Sequence, residues 1–306
     1  MTDEMRSLQK DVLNFIVEFA RERLGVEIGE DKKKQLCERL IQAIRKDFCD
    51  DISAFSRWFV RELNDDERVF FLARYVTVSE TYFFRDFGVF TAFRYYLLPE
   101  LIEQKRVLGN NEIRLWCAGC STGEEAYSLA MIFDQAFKSG FMSKDEWVIY
   151  LKGTDISPDR IAQAREGVYY SWSFRGTMPP HYLSYFSMVG NNVRVISPEI
   201  REMVKFEVLN LMDPVYPSRE TETENLDCIF CRNVFLYLRI EAIKEILRRF
   251  YRCLVPGGWL VVAAPELHFA DRDTWERVVL PGATFLRKKP RASSTALSGR
   301  IFSPWY

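Results

Sequence analysis

Apolar residues recur at helical spacing through the first quarter of the chain. Leu8, Val12, Phe15, Ile16 and Phe19 form one stripe, Leu36, Leu40, Ile44 and Phe48 a second, and Ile52, Phe55, Phe59 and Leu63 a third. The spacing predicts short amphipathic helices over residues 5–76, each burying one face against its neighbours. Gly25, Gly29 and acidic clusters near Asp50 and Asp65 separate them, so an all-α domain with its linker is expected over residues 1–80.

The texture changes at Thr81. A helix-like run, Phe90–Lys105, leads to an apolar strand at Ile113–Ala118. A helix (124–137), a strand (148–153) and a helix opened by Ser157-Pro158 and closed by Gly167 follow. The alternation returns with a strand at Leu226–Phe230, a helix at 240–254 and a strand at 259–264. Strands alternating with helices of this length predict a doubly wound, parallel α/β sheet over residues 81–290. Residues 168–205 interrupt it with aromatic residues, Pro179-Pro180 and a Gly190-Asn191-Asn192 turn before Val193–Ile196. They read as an inserted β-subdomain containing a hairpin. From Pro290 the composition turns to Arg, Ala, Ser and Gly, and 291–306 reads as a flexible tail.

Composition narrows the choice of partners. A formal charge of −1 gives no reason to expect a nucleic acid. No apolar run approaches a membrane span, and the start Met1-Thr2-Asp3-Glu4 resembles no signal peptide. A cytoplasmic protein without membrane insertion is the expectation, and a monomer is compatible with it. The 7 cysteines argue against a disulfide framework. Four form two C-x-x-C pairs, Cys117/Cys120 and Cys228/Cys231, but residues three apart on a strand point to opposite faces. They read as small buried thiols, and no metal is expected.

The densest signal is Leu115–Leu129, LWCAGCSTGEEAYSL. A strand runs through a small-residue turn into a helix, the arrangement that opens nucleotide sites in doubly wound folds. Ser121 followed by Glu124 reads as a capping box. The dinucleotide G-x-G-x-x-G is absent, and two carboxylates, Glu124 and Glu125, sit at the helix mouth. Pyrophosphate would be repelled there, whereas a cofactor carrying an ammonium group would be welcome. Asp155 ends the next strand about 30 residues on, where ribose hydroxyls are commonly bound; a helix cap or strand-end turn is its other reading. Asn210-Leu211 and Cys231-Arg232-Asn233-Val234, with Tyr237 beyond, fall at further strand ends.

With Leu254-Val255-Pro256-Gly257-Gly258 before the last apolar strand, these segments match a class I, Rossmann-like S-adenosylmethionine methyltransferase better than a dehydrogenase. Ser79-Glu80-Thr81-Tyr82-Phe83-Phe84-Arg85, Ser121-Thr122-Gly123-Glu124-Glu125, Thr154-Asp155-Ile156 and Phe230-Cys231-Arg232-Asn233-Val234 with Tyr237 resemble the CheR family of chemotaxis-receptor glutamate O-methyltransferases. The resemblance covers nearly the whole chain.

It implies S-adenosylmethionine as cofactor and S-adenosylhomocysteine as product. It also implies the cytoplasmic domain of methyl-accepting chemotaxis-type receptors as partner. Ser79, Thr81 and Arg85 would line the cofactor site from the linker, Ser79 standing where asparagine is frequent in the family. Glu125 would bind the methionine ammonium and Asp155 the ribose. Asn210, Leu211, Arg232 and Asn233 would border the adenosine and methionine moieties. Arg85 and Tyr237 would serve catalysis, Arg85 placing the acceptor carboxylate. The short hairpin loop after Tyr185-Phe186 points to an enzyme that does not dock a receptor-tail peptide. Trp172–Thr177 reads as aromatic packing of the insertion onto the main sheet. The basic run Lys32-Lys33-Lys34 with Arg39, Arg45 and Lys46 reads as a solvated helix face. A cofactor-binding module without turnover and a nicotinamide-dependent enzyme are the alternatives.

Overall fold

A computed structural model describes residues 3–47, 51–76, 80–176, 178–190 and 192–290, with side chains from residue 11 onward. Ser79, Phe48, Thr177 and the tail 291–306 lie outside the described residues, as does the side chain of Leu8.

The helical stripes fold on one another much as their spacing predicts. Helices α1 (Asp3–Arg23), α2 (Glu30–Asp47), α3 (Ile52–Arg57) and α4 (Asp65–Val76), with a π-helical turn (Trp58–Glu62) after α3, share a core of Ile16, Leu36, Leu40, Phe55, Phe59 and Leu72. Phe15 is the exception at 39% exposure, lying at the edge of this cluster with its ring against Phe19 and Phe59.

The run expected as one helix from Phe90 divides into α5 (Phe87–Ala92), a π-helical turn (Phe93–Leu97) and α6 (Leu98–Val107). The Leu98 N–H reaches back five residues to Phe93, and Pro99 follows without an N–H of its own, so the regular ladder cannot pass through unchanged.

The remaining elements are β1 (Glu112–Ala118), α7 (Glu124–Lys138), β2 (Val148–Asp155), α8 (Pro158–Glu166), β3 (Val168–Tyr170), β4 (Phe186–Val189) and β5 (Val193–Ile196). They continue with α9 (Pro198–Arg201), β6 (Val204–Val208), β7 (Leu226–Phe230), α10 (Ile240–Cys253), β8 (Leu254–Val261), β9 (Trp275–Leu280) and β10 (Ala283–Lys288).

The main sheet has the order β6-β2-β1-β7-β8-β10-β9. Its first five strands are parallel, whereas β10 runs antiparallel to both β8 and β9. The expected doubly wound parallel sheet is present, extended at one edge by an antiparallel hairpin. The turn dipeptide Pro281-Gly282 between two short apolar runs is the signal for this hairpin. Alternation along β1 sends Leu115 and Cys117 to the core on one face, and Trp116 and Ala118 to the core on the other. Cys228 and Cys231 likewise fall in different cores.

The insertion forms its own sheet, β3-β5-β4. Ser187–Val189, taken from sequence as loop, belong to β4, so the connection to β5 spans only residues 190–192.

Candidate active site

The order in which strands are added reverses at β1, with β2 on one side and β7 on the other. The carboxyl ends of these strands flank the crevice where doubly wound sheets bind ligands. A cleft opens there, lined from the ends of all three strands.

The turn after β1 is tied to its neighbour by backbone. The N–H groups of Gly119 and Cys120 both donate to the Thr154 carbonyl, at 2.7 and 2.8 Å. Gly119 has φ +80°, and a Cβ there would lie 2.5 Å from Val234, so glycine allows the loops after β1 and β7 to touch. Ser121 also takes a left-handed conformation (φ 51°), and its N–H donates to Asp155 Oδ2 at 2.9 Å.

The expected capping box is absent. Gly123, with φ 94°, occupies the cap position and no side chain caps the helix. Glu124 instead points into the protein at 2% exposure. It accepts hydrogen bonds from the Thr122 hydroxyl (2.6 Å) and the Ser173 hydroxyl (2.9 Å). Burial raises its pKa, against the pull of those bonds.

Glu125 faces the cleft. Arg232 Nη1 donates to its Oε2 at 2.9 Å, while Nη2 donates to the Arg85 carbonyl (2.9 Å) and to Asp86 (2.5 Å). Burial pushes the Glu125 pKa up and Arg232 pulls it back. The Arg232 side chain is 2% exposed, yet its Nε has no partner. An orphaned buried donor of this kind at a cleft wall is what an incoming carboxylate would satisfy.

Asp155 is the second acid of the cleft. Its Oδ1 accepts from the Ser157 N–H at 3.0 Å, and Arg160 stands 3.9 Å away. Burial raises its pKa, opposed first by Arg160 and then by the backbone N–H groups. The strand-end turn role is therefore real, and it holds the carboxylate at the cleft wall. Asn210 spends its amide on scaffolding: Nδ2 donates to the Arg23 carbonyl at 2.8 Å, and Oδ1 accepts from the Met212 N–H at 3.0 Å. Leu211 lies beside it in the wall.

Asn233 adopts φ 60°, and its N–H donates to Glu266 Oε2 at 2.9 Å; Phe235 N–H reaches Oε1 of the same carboxylate at 2.8 Å. Thr81, Arg85 and Tyr237 complete the set around the cleft. The Arg85 guanidinium donates to the Glu80 carbonyl, and the Tyr237 ring lies 5.8 Å from Lys32 Nζ. Every described residue of the predicted set lines this one cleft; Ser79 is not described.

Leu24, Val26 and Glu266 are among the contributors that escaped the sequence reading. Leu24 and Val26, from the turn after α1, form part of the wall. They are brought in by backbone bonds from Glu27 N–H to Tyr237 O and from Arg239 N–H to Gly25 O. Glu266 is buried at 1% exposure. The acid in Ala264-Pro265-Glu266 just past an apolar strand is its only local signal.

The donor set fits S-adenosylmethionine: a carboxylate for an ammonium, an orphaned guanidinium N–H for a carboxylate, and a strand-end acid for ribose hydroxyls. Among the described residues no cluster of three or more His, Cys, Asp or Glu could hold a metal ion.

A family model described as CheR methyltransferase, SAM binding domain, matches residues 79–281. Chemotaxis protein methyltransferase 1 of Pseudomonas aeruginosa is 35% identical over 192 residues, covering 62% of this chain and 67% of that protein. The chemotaxis protein methyltransferase of Borreliella burgdorferi is 28% identical over 266 residues, covering 85% and 89%. The probable biofilm formation methyltransferase WspC of Pseudomonas putida is 31% identical over 255 residues, covering 81% of this chain and 55% of that protein.

Proposed function

This chain belongs to the CheR methyltransferase family, and we propose that it esterifies glutamate side chains of methyl-accepting chemotaxis-type receptors. S-adenosylmethionine-dependent methylation in chemotaxis is what the family model and the chemotaxis methyltransferase relatives support; the receptor carboxylate as acceptor is the finer reading. The convergence of Arg85, Glu125, Asp155, Arg232 and Tyr237 on a single cleft carries it.

When bound, S-adenosylmethionine supplies a methyl group on a sulfonium, electrophilic enough for a carboxylate oxygen to displace. A glutamate of ordinary pKa is already ionised at neutral pH, so the protein needs no strong general base. Its work is placement and exclusion of water. Glu125 receives the cofactor's ammonium, and Arg232 offers its unpaired Nε–H to the cofactor's carboxylate. Asp155 accepts from the ribose, and Asn210, Leu211 and Asn233 border the adenosine and methionine moieties. Arg85 presents a planar donor fork to the acceptor carboxylate. Tyr237 adds a hydroxyl beside the transferring methyl. In this reading residues up to 80 form a helical domain with its linker, 81–290 the catalytic domain, and 168–205 the inserted β-subdomain.

The three-residue connection between β4 and β5 supports a receptor mode without tail-peptide docking. Transfer of tritiated methyl from the cofactor to receptor-containing membranes, as base-labile ester on glutamate, tests the main reading. Cofactor binding with no transfer to receptor glutamates would replace it with a sensor module. Calorimetric binding of a receptor C-terminal pentapeptide, lost on altering residues 187–193, would overturn the tail-independent mode.

A further inference from the structure

The segment Trp172–Gly176 plays no part in the cofactor contacts above, nor does it pack wholesale onto the main sheet as its composition suggests. Phe174 does turn inward, stacking on Phe83 at 5.2 Å and meeting Phe186 edge-on at 5.0 Å. Trp172, by contrast, keeps 62% of its surface exposed. Its indole and the Tyr82 ring enclose the Arg175 guanidinium, at 3.9 and 4.2 Å from the ring centroids. From that position Arg175 donates to the carbonyls of Thr81 (3.0 Å) and Trp172 (2.8 Å) and to the Glu80 carboxylate (3.2 Å). The neighbouring Gly176 lets the two segments touch, since a Cβ there would fall 2.5 Å from the Tyr82 ring.

Thr81, Tyr82 and Arg85 form one wall of the cleft. That wall contains Phe84 at φ 56° and is followed by Asp86 at φ 58°, conformations that side-chain-bearing residues hold only where outside contacts impose them. Phe84 N–H is fixed by the Ser128 hydroxyl, and the Arg85 carbonyl by Arg232. Ser173 accepts the Phe83 N–H at 2.9 Å while its hydroxyl meets Glu124. The start of the wall, Glu80–Tyr82, is held from the inserted subdomain by Arg175.

We propose that Arg175 is a positioning residue for the methyl-transfer site. Clamped between Trp172 and Tyr82, it holds the Glu80–Arg85 wall in its binding conformation, so cofactor affinity depends on the β-subdomain. The inference rests on the cofactor assignment of this cleft. A planar cation suits the place: guanidinium can lie between two rings and still donate in its own plane to Thr81 and Glu80. An ammonium group has three donors but no planar fork, so it cannot lie flat between two rings and donate within that plane.

The test uses the full chain with Arg175→Ala and Arg175→Lys. Hydrogen–deuterium exchange is followed in residues 80–86 without cofactor, alongside calorimetric affinity for S-adenosylmethionine and the thermal midpoint. Arg175→Ala should raise exchange in that segment and weaken affinity about tenfold, the scale of one or two lost hydrogen bonds. The midpoint should stay close to wild type, and Arg175→Lys should fall between. Trp172→Phe, which keeps a stacking face, should bind better than Trp172→Ala. Unchanged exchange, unchanged affinity, or an affinity loss that merely follows a falling midpoint overturns the proposal. Failure of the wild-type chain to bind the cofactor would count against the cleft assignment, while the exchange comparison would still decide whether Arg175 holds the wall.

Discussion

Asp155 accepts the Ser121 amide hydrogen at 2.9 Å, and this bond sets the shape of the turn between β1 and α7. With its N–H committed across the cleft, Ser121 sits in a left-handed conformation and Gly123 takes the cap. Asp155 spans two turns, because its other oxygen accepts the Ser157 N–H. Replacing it with Asn leaves one amide facing a donor. The expected cost is about 1–3 kcal/mol, the scale for an unsatisfied buried hydrogen-bonding group, with weaker cofactor affinity. Urea unfolding and calorimetry on the same variant check both.

Glu125 and Arg232 should behave as a unit. Arg232 is buried and Glu125 lines the cleft with 14% of its side chain exposed, and the two form an ion pair beside Asp86. Glu125→Gln leaves the Arg232 charge short of a partner, and Arg232→Met strands the carboxylate. Breaking a fully buried pair typically costs about 3–5 kcal/mol; with Glu125 at the cleft and Asp86 still beside Arg232, the single losses should fall below that range. The double variant should recover part of that stability but none of the cofactor affinity. Additive stability losses in the double-mutant cycle would show the two are uncoupled.

Glu124 has a structural task different from the one its sequence position suggests. Glu124→Ala removes the acceptor for Thr122 and Ser173 in a buried setting, so the loss should reach about 1–3 kcal/mol rather than the smaller cost of a missing cap. Burial raises the folded-state pKa above the ordinary 4.5. The folded protein therefore retains a proton that the unfolded chain releases, and this contribution to stability falls as pH rises above 4.5. Glu124→Gln should flatten that part of the stability–pH curve, as chemical denaturation at a series of pH values would reveal.

Glu222 should act on the opposite limb. Hydrogen bonds from Lys205 and Tyr150 lower its pKa from 4.5 to about 2. The stabilisation is present above pH 4.5 and is lost as pH falls toward about 2. Glu222→Gln should be less stable than wild type at neutral pH and converge with it in acid. A stability difference that persisted below pH 2 would contradict this.

Much of the architecture was legible because it depends on local pattern. The 3.6-residue stripes foretold the first three N-terminal helices, and strand–helix alternation foretold the sheet. Ser157-Pro158 and Gly167 marked both ends of α8, where the Ser157 hydroxyl and a left-handed glycine do form the caps. Motifs at strand ends located the cleft. The β9–β10 hairpin escaped because its short runs lack a strong period, and the π-helical turns because each differs from an α-helix by one residue.

By itself the sequence determined which segments become helices and strands, and which side chains stand at the strand ends. These follow from periodicity, turn chemistry and chain direction. Tertiary structure alone decided what those side chains hold. Arg232 meets Glu125 across 107 positions and Asp86 across 146. The Arg23 carbonyl reaches Asn210, Arg175 reaches Thr81, and Leu24 and Val26 enter the cleft wall. Ser121 had a local partner available in Glu124 and took a distant one in Asp155. Local propensity ranks only the partners within a few residues, whereas folding lets any buried acceptor compete for a donor. Where water is excluded, the arrangement that leaves fewest polar groups unpaired prevails.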